Sequence, residues 1–514
     1  MSLAIVYSRA ESGTDAPQVT VEVHLARGLP KFSIVGLPET AVKESRDRVR
    51  GAILNSNFEF PRQRIIVNLA PADLPKEGGR FDLPIAIGLL AASRQVRGDD
   101  IARHVFLGEL ALSGELRDIR GGLIVALSLR QSERTLVLPQ GSASQAALVS
   151  GVEVLGATSL LQICAMLNRQ ESIPPVLAPT TSVGDAARHD ATQHETIQHE
   201  DMRDVIGQPF AKRALEIAAA GAHSVLLSGP PGTGKTMLAA RLPSILPAMS
   251  EREALETAAI ESLGQGGFDP ANWMRRPFRS PHHSASGAAL IGGGGIPRPG
   301  EISLAHNGIL FLDELPEFDR KVLEALREPL ESGVIHISRV AQQTRYLANF
   351  LLVATCNPCP CGYLGDESGR CRCTPGHVLR YRARLSGPLL DRIDIQLEVP
   401  RIAHRVLSQS TRDDDTSATI RQRVARARHL QLQRQGKTNS LLHGNQIEHI
   451  CALDAAGHQL LDDAMERLDL SARAYHRILK VARSIADLSQ QPNITPEHLA
   501  VAIKLRCFDQ AVPR

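Results

Sequence analysis

The chain has 514 residues and carries 58 Lys and Arg against 55 Asp and Glu, a net charge of +3. A hydrophobic content of 43% excludes global disorder, and the longest nearly uninterrupted apolar run (residues 83–92) is far short of the roughly 20 residues a spanning helix needs. The charge is too balanced to mark a nucleic-acid binder by itself, so any such role must rest on local basic patches. Length sets an expectation of two to four domains. The first residues show no basic segment followed by an apolar stretch and a cleavage site, so the chain is expected in the cytoplasm, with no membrane role. In that compartment, five of eight cysteines falling between residues 356 and 373 favour a metal over disulfides.

In chain order, residues 3 to about 170 read as mixed α/β. Val19, Val21, Val23 and Leu25 alternate with Thr20, Glu22 and His24, the pattern of a half-buried strand. Residues 64–69 and 104–107 are short β-rich runs, and residues 83–93 and 123–130 read as helices. Residues 172–203 change character, with prolines, Thr, Asp and His and no aromatic side chain. Such a segment buries little and reads as a linker. His189, His194 and His199 in it read as solvated linker residues, with a ligand set as the alternative. From residue 204 to about 400, strand candidates at 224–227, 309–312, 350–355 and 393–399 alternate with helical stretches, which predicts a parallel sheet. Beyond residue 401 nearly everything reads helical. Residues 420–435 are basic, residues 472–488 are strongly periodic, and Thr495-Pro496 reads as an N-cap followed by proline at the first helical position.

Gly229-Pro230-Pro231-Gly232-Thr233-Gly234-Lys235-Thr236 satisfies GxxxxGK[ST] at every position, after an apolar strand and before a helix. Its backbone N–H groups can wrap the polyphosphate of ATP, Lys235 can reach the β- and γ-phosphates, and the Thr236 hydroxyl can ligate Mg²⁺. Residues 309–312 form an apolar strand ending in Asp313 and Glu314, at the strand end where open α/β sheets bind ligands. Asp313 is expected in the Mg²⁺ shell and Glu314 beside the attacking water. The next core strand ends at Asn357, where a polar side chain can reach the γ-phosphate or that water. Arg392, just before a further strand, reads either as a surface ion-pair residue or as a group that stabilises transition-state charge in a neighbouring subunit.

These residues together resemble the AAA+ superfamily in its magnesium-chelatase and MCM-like branch. Val205-Ile206-Gly207-Gln208, Arg279-Ser280-Pro281-His282-His283-Ser284, Pro299-Gly300-Glu301-Ile302-Ser303-Leu304-Ala305-His306 and Asn357-Pro358-Cys359-Pro360-Cys361-Gly362 look like the ComM/YifB group of magnesium chelatase-like proteins. The resemblance covers almost the whole chain outside residues 172–203. It implies a Lon-protease-like (ribosomal S5-like) α/β domain over 1–171, an AAA+ P-loop α/β core over 204–400 with a Cys-rich insertion at 356–373, and a helical lid over 401–514. It also implies that Gln208 belongs to the nucleotide site, that Arg392 is a trans-acting arginine finger, that Arg473 is the sensor-2 arginine with Arg477 as second choice, and that the chain forms a homo-hexamer.

Two segments exceed a bare nucleotide fold. Residues 251–296 hold Trp273, Arg275, Arg276, Arg279, His282 and His283 before a glycine-rich tip, and residues 334–347 read as a hairpin bearing Arg339 and Arg345. Basic side chains on such loops suit a grip on DNA phosphates without base reading, or they pair with nearby Glu on a solvated surface. In the resembled branch these loops project into a ring pore.

Cys359-x-Cys361 and Cys371-x-Cys373 can close a tetrahedral structural Zn²⁺ site, with free cytosolic thiols as the alternative. Cys164, Cys356, Cys451 and Cys507 read as buried thiols. In active Lon-like domains a Ser–Lys dyad does the chemistry. Here Arg80 stands at the serine position and Ile124 near the lysine position, so no peptidase activity is expected. The resemblance implies an ATP-dependent DNA motor or helicase that acts on single-stranded and branched DNA. It would promote branch migration during natural transformation or homologous recombination, with recombination proteins as partners. The alternative is a chelatase-type protein-remodelling ATPase; no DxSxS metal-adhesion motif occurs in the chain.

Overall fold

The computed structural model describes residues 3–36, 40–74, 76, 78–177, 201–264, 266–293, 298–338, 343–366, 369–402, 415–468 and 470–506. Arg339, His189, His194, His199 and Cys507 lie outside the described residues. The chain divides into two compact units. One comprises Met1–Arg188, Ala254–Trp273 and Ser338–Tyr346, and the other His189–Glu253, Met274–Ile337 and Leu347–Arg514.

The first unit is built on a seven-stranded mixed sheet. Its order is Lys31–Val35, Arg64–Ala70, Gln18–Ala26, Leu3–Arg9, His104–Phe106, Thr135–Pro139 and Val154–Ala157. Val19, Val21, Val23 and Leu25 are buried as their alternation predicts. The helix Asp82–Ala92 lies on this sheet at a glycine: a Cβ on Gly88 would stand 2.5 Å from Val23 Cγ2, so only glycine permits the approach. Arg80 sits in a short 3-10 turn, Gly79–Phe81, and pairs with Glu11. Ile124 is 2% exposed in the helix Gly122–Leu129.

The second unit holds a five-stranded sheet in the order Phe278–Arg279, Ile309–Leu312, Leu351–Cys356, Val225–Ser228, Ile395–Glu398, all parallel. Four strands fall within one or two residues of the sequence expectation. The fifth, Phe278–Arg279, lies inside the segment read as an excursion. Two residues carry no periodicity, and only pairing with Ile309 and Leu310 makes them a strand. The central strands Val225–Ser228, Ile309–Leu312 and Leu351–Cys356 are buried throughout, as parallel strands covered on both faces are. Helices Ser417–Gln435, Ala455–Leu468, Ala472–Leu488 and Pro496–Lys504 place Ile420, Val424, Leu461, Ile478, Ile485 and Leu499 in the same core as Leu215, Val225 and Ile395. Each such aliphatic side chain contributes about 1.5–3 kcal/mol by leaving water. Thr495 caps the last helix through a capping box with His498, and Pro496 follows at the first helical position. Among the described residues, no helix is long and apolar enough to cross a membrane.

Candidate nucleotide site

The strand Val225–Ser228 delivers the chain into residues 229–236. Gly229 crosses so close to the backbone that a Cβ would stand 2.3 Å from the Val399 carbonyl oxygen. Gly232 and Gly234 take φ values of 78° and 88°, which turn successive N–H groups into one concavity suited to an anion. Lys235 Nζ donates to Gly229 O (2.6 Å), Pro230 O (2.9 Å) and Asn357 Oδ1 (3.2 Å). Burial pulls its ammonium below the ordinary lysine value.

The strand Ile309–Leu312 brings Asp313 alongside. Thr236 Oγ1 donates to Asp313 Oδ2 at 3.2 Å, and Thr355 Oγ1 donates to Asp313 Oδ1. The same Thr355 oxygen accepts the Glu314 amide at 3.1 Å. Sequence reasoning missed Thr355; the available signal was its place near the end of the strand beside Asp313. Glu314 sits at φ 54°, in the left-handed region, and its side chain is 53% exposed, so it stands out of the sheet. His283 Nδ1 lies 4.0 Å from Glu314 Oε2, and the His282 and His283 rings are 4.0 Å apart. These two histidines therefore sit at the carboxylate end of the site.

Beside the loop opens a cavity of about 470 Å³, lined by Val205, Ile206, Gln208, Met237, Arg401 and Ile402 among others. Gln208 takes the left-handed conformation, starts the helix Pro209–Gly221, and donates from Nε2 to Pro400 O at 2.6 Å. Apolar side chains with few polar groups match one end of a nucleoside.

The arginines differ in their engagement. Arg392 is 7% exposed, donates to Pro388 O at 2.8 Å and pairs with Glu331. Arg473 is exposed at the start of the helix Ala472–Leu488, whereas Arg477 on that helix pairs with buried Asp394. Arg276 donates to Pro247 O, Ala248 O and Asn307 O and pairs with Glu253, so it ties its segment to the backbone on either side. Arg279 forms two bonds to Glu301, at 2.7 and 2.8 Å. Arg345 is exposed on the strand Gln343–Leu347. Cys359, Cys361, Cys371 and Cys373 come together with their sulfurs within 4.8 Å of one another. Cys356 is a buried strand residue whose thiol burial pushes up to about 11; the Cys164 and Cys451 thiols are pushed up to about 12 in the same way.

A parallel sheet with a glycine-rich loop, an invading lysine and a Thr–Asp pair at adjacent strand ends defines a P-loop α/β nucleotide-binding core. The magnesium chelatase, subunit ChlI family matches residues 201–407, the family described as subunit ChlI of Mg-chelatase matches 21–142, and the magnesium chelatase subunit ChlI C-terminal family matches 414–506. The chain is 51% identical over 509 residues to competence protein ComM of Haemophilus influenzae, covering 99% of this chain and 98% of that one. It is 50% identical over 511 residues to YifB of Escherichia coli, with 99% and 98% covered. The magnesium-chelatase 67 kDa subunit of Heliobacterium mobile is 26% identical over 260 residues, 44% of this chain and 37% of that one. The chain belongs to the ComM/YifB family of magnesium chelatase-like proteins.

Proposed function

We propose that the chain is an ATP-driven DNA motor of the AAA+ class. In this reading it works as a hexameric ring in the cytoplasm and promotes branch migration during natural transformation or homologous recombination, on single-stranded and branched DNA and alongside recombination proteins. The observation that carries the ATPase half is the convergence of Lys235, Thr236, Asp313 and Asn357 at the ends of three neighbouring parallel strands.

In this reading the amides of residues 229–236 cradle the polyphosphate. Lys235 leaves the Gly229 and Pro230 carbonyls for the β- and γ-phosphates. The Thr236 hydroxyl and Asp313 would hold Mg²⁺, which supplies charge neutralisation on the phosphate oxygens. Glu314 orients and polarises the attacking water, while Asn357 positions it. Arg392 exchanges Glu331 for the nucleotide of a neighbouring subunit, and Arg473 reaches the nucleotide from the lid over 401–514. The DNA reading draws on the printed name of the Haemophilus relative and on Arg275, Arg279, His282, His283, Arg339 and Arg345; Arg276, bound internally, supports that segment. The four clustered cysteines hold a structural Zn²⁺. Residues 1–171 form a Lon-like domain whose Arg80 cannot serve as an acyl-forming nucleophile, so the domain is a platform rather than a peptidase.

The test compares ATP turnover with single-stranded DNA, duplex DNA and a denatured protein. DNA stimulation that collapses as salt rises supports the motor, because phosphate contacts release counterions. Stimulation by protein alone would support the chelatase-type remodelling reading instead.

A further inference from the structure

The loop after Asn357 touches the nucleotide cleft twice, and its own conformation depends on four thiols. The Cys359–Cys361, Cys359–Cys371 and Cys361–Cys371 sulfur separations are 3.4, 3.8 and 3.7 Å, and Cys373 falls within 4.8 Å of all three. A regular tetrahedron with bonds of about 2.3 Å, the Zn–S length, has edges of about 3.8 Å. The amides of Tyr363 and Arg372 donate to Cys361 Sγ, the kind of outer support that fixes a thiolate ligand. All four positions are taken by protein sulfur, so the site has no open coordination place for chemistry.

From this cluster two contacts lead to the cleft. Gly362, at φ 82°, packs so closely that a Cβ would stand 2.7 Å from Pro231 Cδ in the phosphate loop. The next residue, Tyr363, carries Arg401 over its ring at 5.4 Å, and Asp366 pairs with Arg401 at 3.5 Å. Pro231 and Arg401 both line the 470 Å³ cavity. One loop thus touches two of the residues that line the space assigned to the nucleotide. Gly365 and Gly369 in this loop take positive φ, which glycine adopts without steric cost. Without a shared metal, the four cysteine side chains supply little to hold the loop against the entropy of release.

We propose that Zn²⁺ bound by Cys359, Cys361, Cys371 and Cys373 clamps the phosphate loop and Arg401, so that occupancy of this metal site sets the affinity for nucleotide. The proposal rests on the nucleotide reading of the cleft. Losing the metal frees Gly362 from Pro231 and Tyr363 from Arg401, and two residues that line the cleft lose their support while Lys235, Thr236 and Asp313 stay in place.

The experiment uses the full chain. Zinc content is measured by elemental analysis, and the Kd of a fluorescent ATP analogue is measured before chelation, after metal removal with a strong zinc chelator, and after Zn²⁺ is returned. We expect one zinc per chain, a Kd raised by about 5–150-fold on metal loss, the usual range of coupling between two sites, and recovery on return. Gly362→Ala separates the clamp from general unfolding: it should keep one zinc while weakening the analogue, since all four thiols remain while the added Cβ strains the positive-φ turn and meets Pro231. A zinc-free native chain, or a Kd unchanged by metal removal, would overturn the clamp. So would a Gly362→Ala chain that keeps zinc and binds the analogue as tightly as the parent. If the zinc-loaded chain binds no ATP analogue at all, the reading of the cleft itself falls.

Discussion

Thr355 shows how one hydroxyl can join a carboxylate to a neighbouring backbone amide. Its oxygen accepts the Glu314 amide while its proton goes to Asp313, so the residue fixes the Asp313 carboxylate, proposed for Mg²⁺, and the backbone that carries Glu314, proposed for the water. Thr355→Val keeps the shape and removes both bonds. We expect the Mg²⁺ concentration for half-maximal ATP turnover to rise about tenfold or more, the usual cost of losing such outer support; an unchanged Mg²⁺ titration would remove Thr355 from this role. Glu314→Gln should leave ATP binding intact and lower kcat by about 10²–10⁴, the range a general base supplies. Equilibrium binding and single-turnover kinetics on the same preparation distinguish these effects. Loss of binding instead would place Glu314 among the groups that hold the nucleotide.

The helix Ala472–Leu488 is joined to the sheet by a buried polar chain. Arg477 pairs with Asp394, whose carboxylate also meets His223 Nδ1 at 3.2 Å and the Ser224 amide at 3.3 Å, and His223 Nε2 contacts Ser484 on the same helix at 2.7 Å. Burial alone would raise the Asp394 carboxyl, but Arg477, His223 and Lys480 outweigh it and hold the group well below the usual carboxylate range. The stability it contributes is therefore present above the ordinary aspartate value of about 3.9 and is lost as pH falls below it. Asp394→Asn should cost about 3 kcal/mol near neutral pH, read as a lower denaturation midpoint, because it leaves Arg477 without its counter-charge. The gap between variant and parent should narrow in acid. A gap that widens below pH 4 would contradict the sign of this linkage. Asp394 lies two residues from Arg392, and Ser224 Oγ donates to the Arg392 carbonyl at 3.2 Å, so the same chain holds the backbone from which that arginine projects.

On the scale of the whole molecule, the prediction concerns subunits. Arg392 bonds within its own chain to Glu331 and Pro388, so a role in a neighbour's site requires the Glu331 pair to open. Arg392→Ala and Lys235→Ala chains should each lose ATP turnover, the first by about 10³–10⁵ if the arginine stabilises the transferring phosphoryl group. Mixing them should restore part of it, because one supplies the intact phosphate loop and the other the intact arginine. No recovery in a mixture that forms joint assemblies would place Arg392 in its own subunit's structure. For DNA, Arg345→Ala should weaken binding across sequences and reduce the slope of log affinity against log salt by nearly one charge. A slope equal to that of the parent would show that Arg345 meets no phosphate.

Local information was enough for the phosphate loop, the Asp313-Glu314 strand end, the alternation around Val19–Leu25 and the periodic helix ending at Leu488. Each is set by spacing along one segment: glycines where N–H groups must converge, period two for a half-buried strand, a 3.6-residue stripe for a helix. What no local pattern carries was decided by packing. Phe278–Arg279 is a strand only because Ile309–Leu310 lies beside it, and Thr355 matters only because its strand adjoins that of Asp313. Arg276 resembles its neighbours in sequence, yet its guanidinium is spent on three carbonyls and Glu253. The four cysteines are two ordinary pairs twelve residues apart until the loop folds them onto one point. Charge and hydrogen-bond capacity are properties of a residue, but whether they are turned outward or consumed within the fold depends on partners distant in the chain, and only the folded chain chooses those partners.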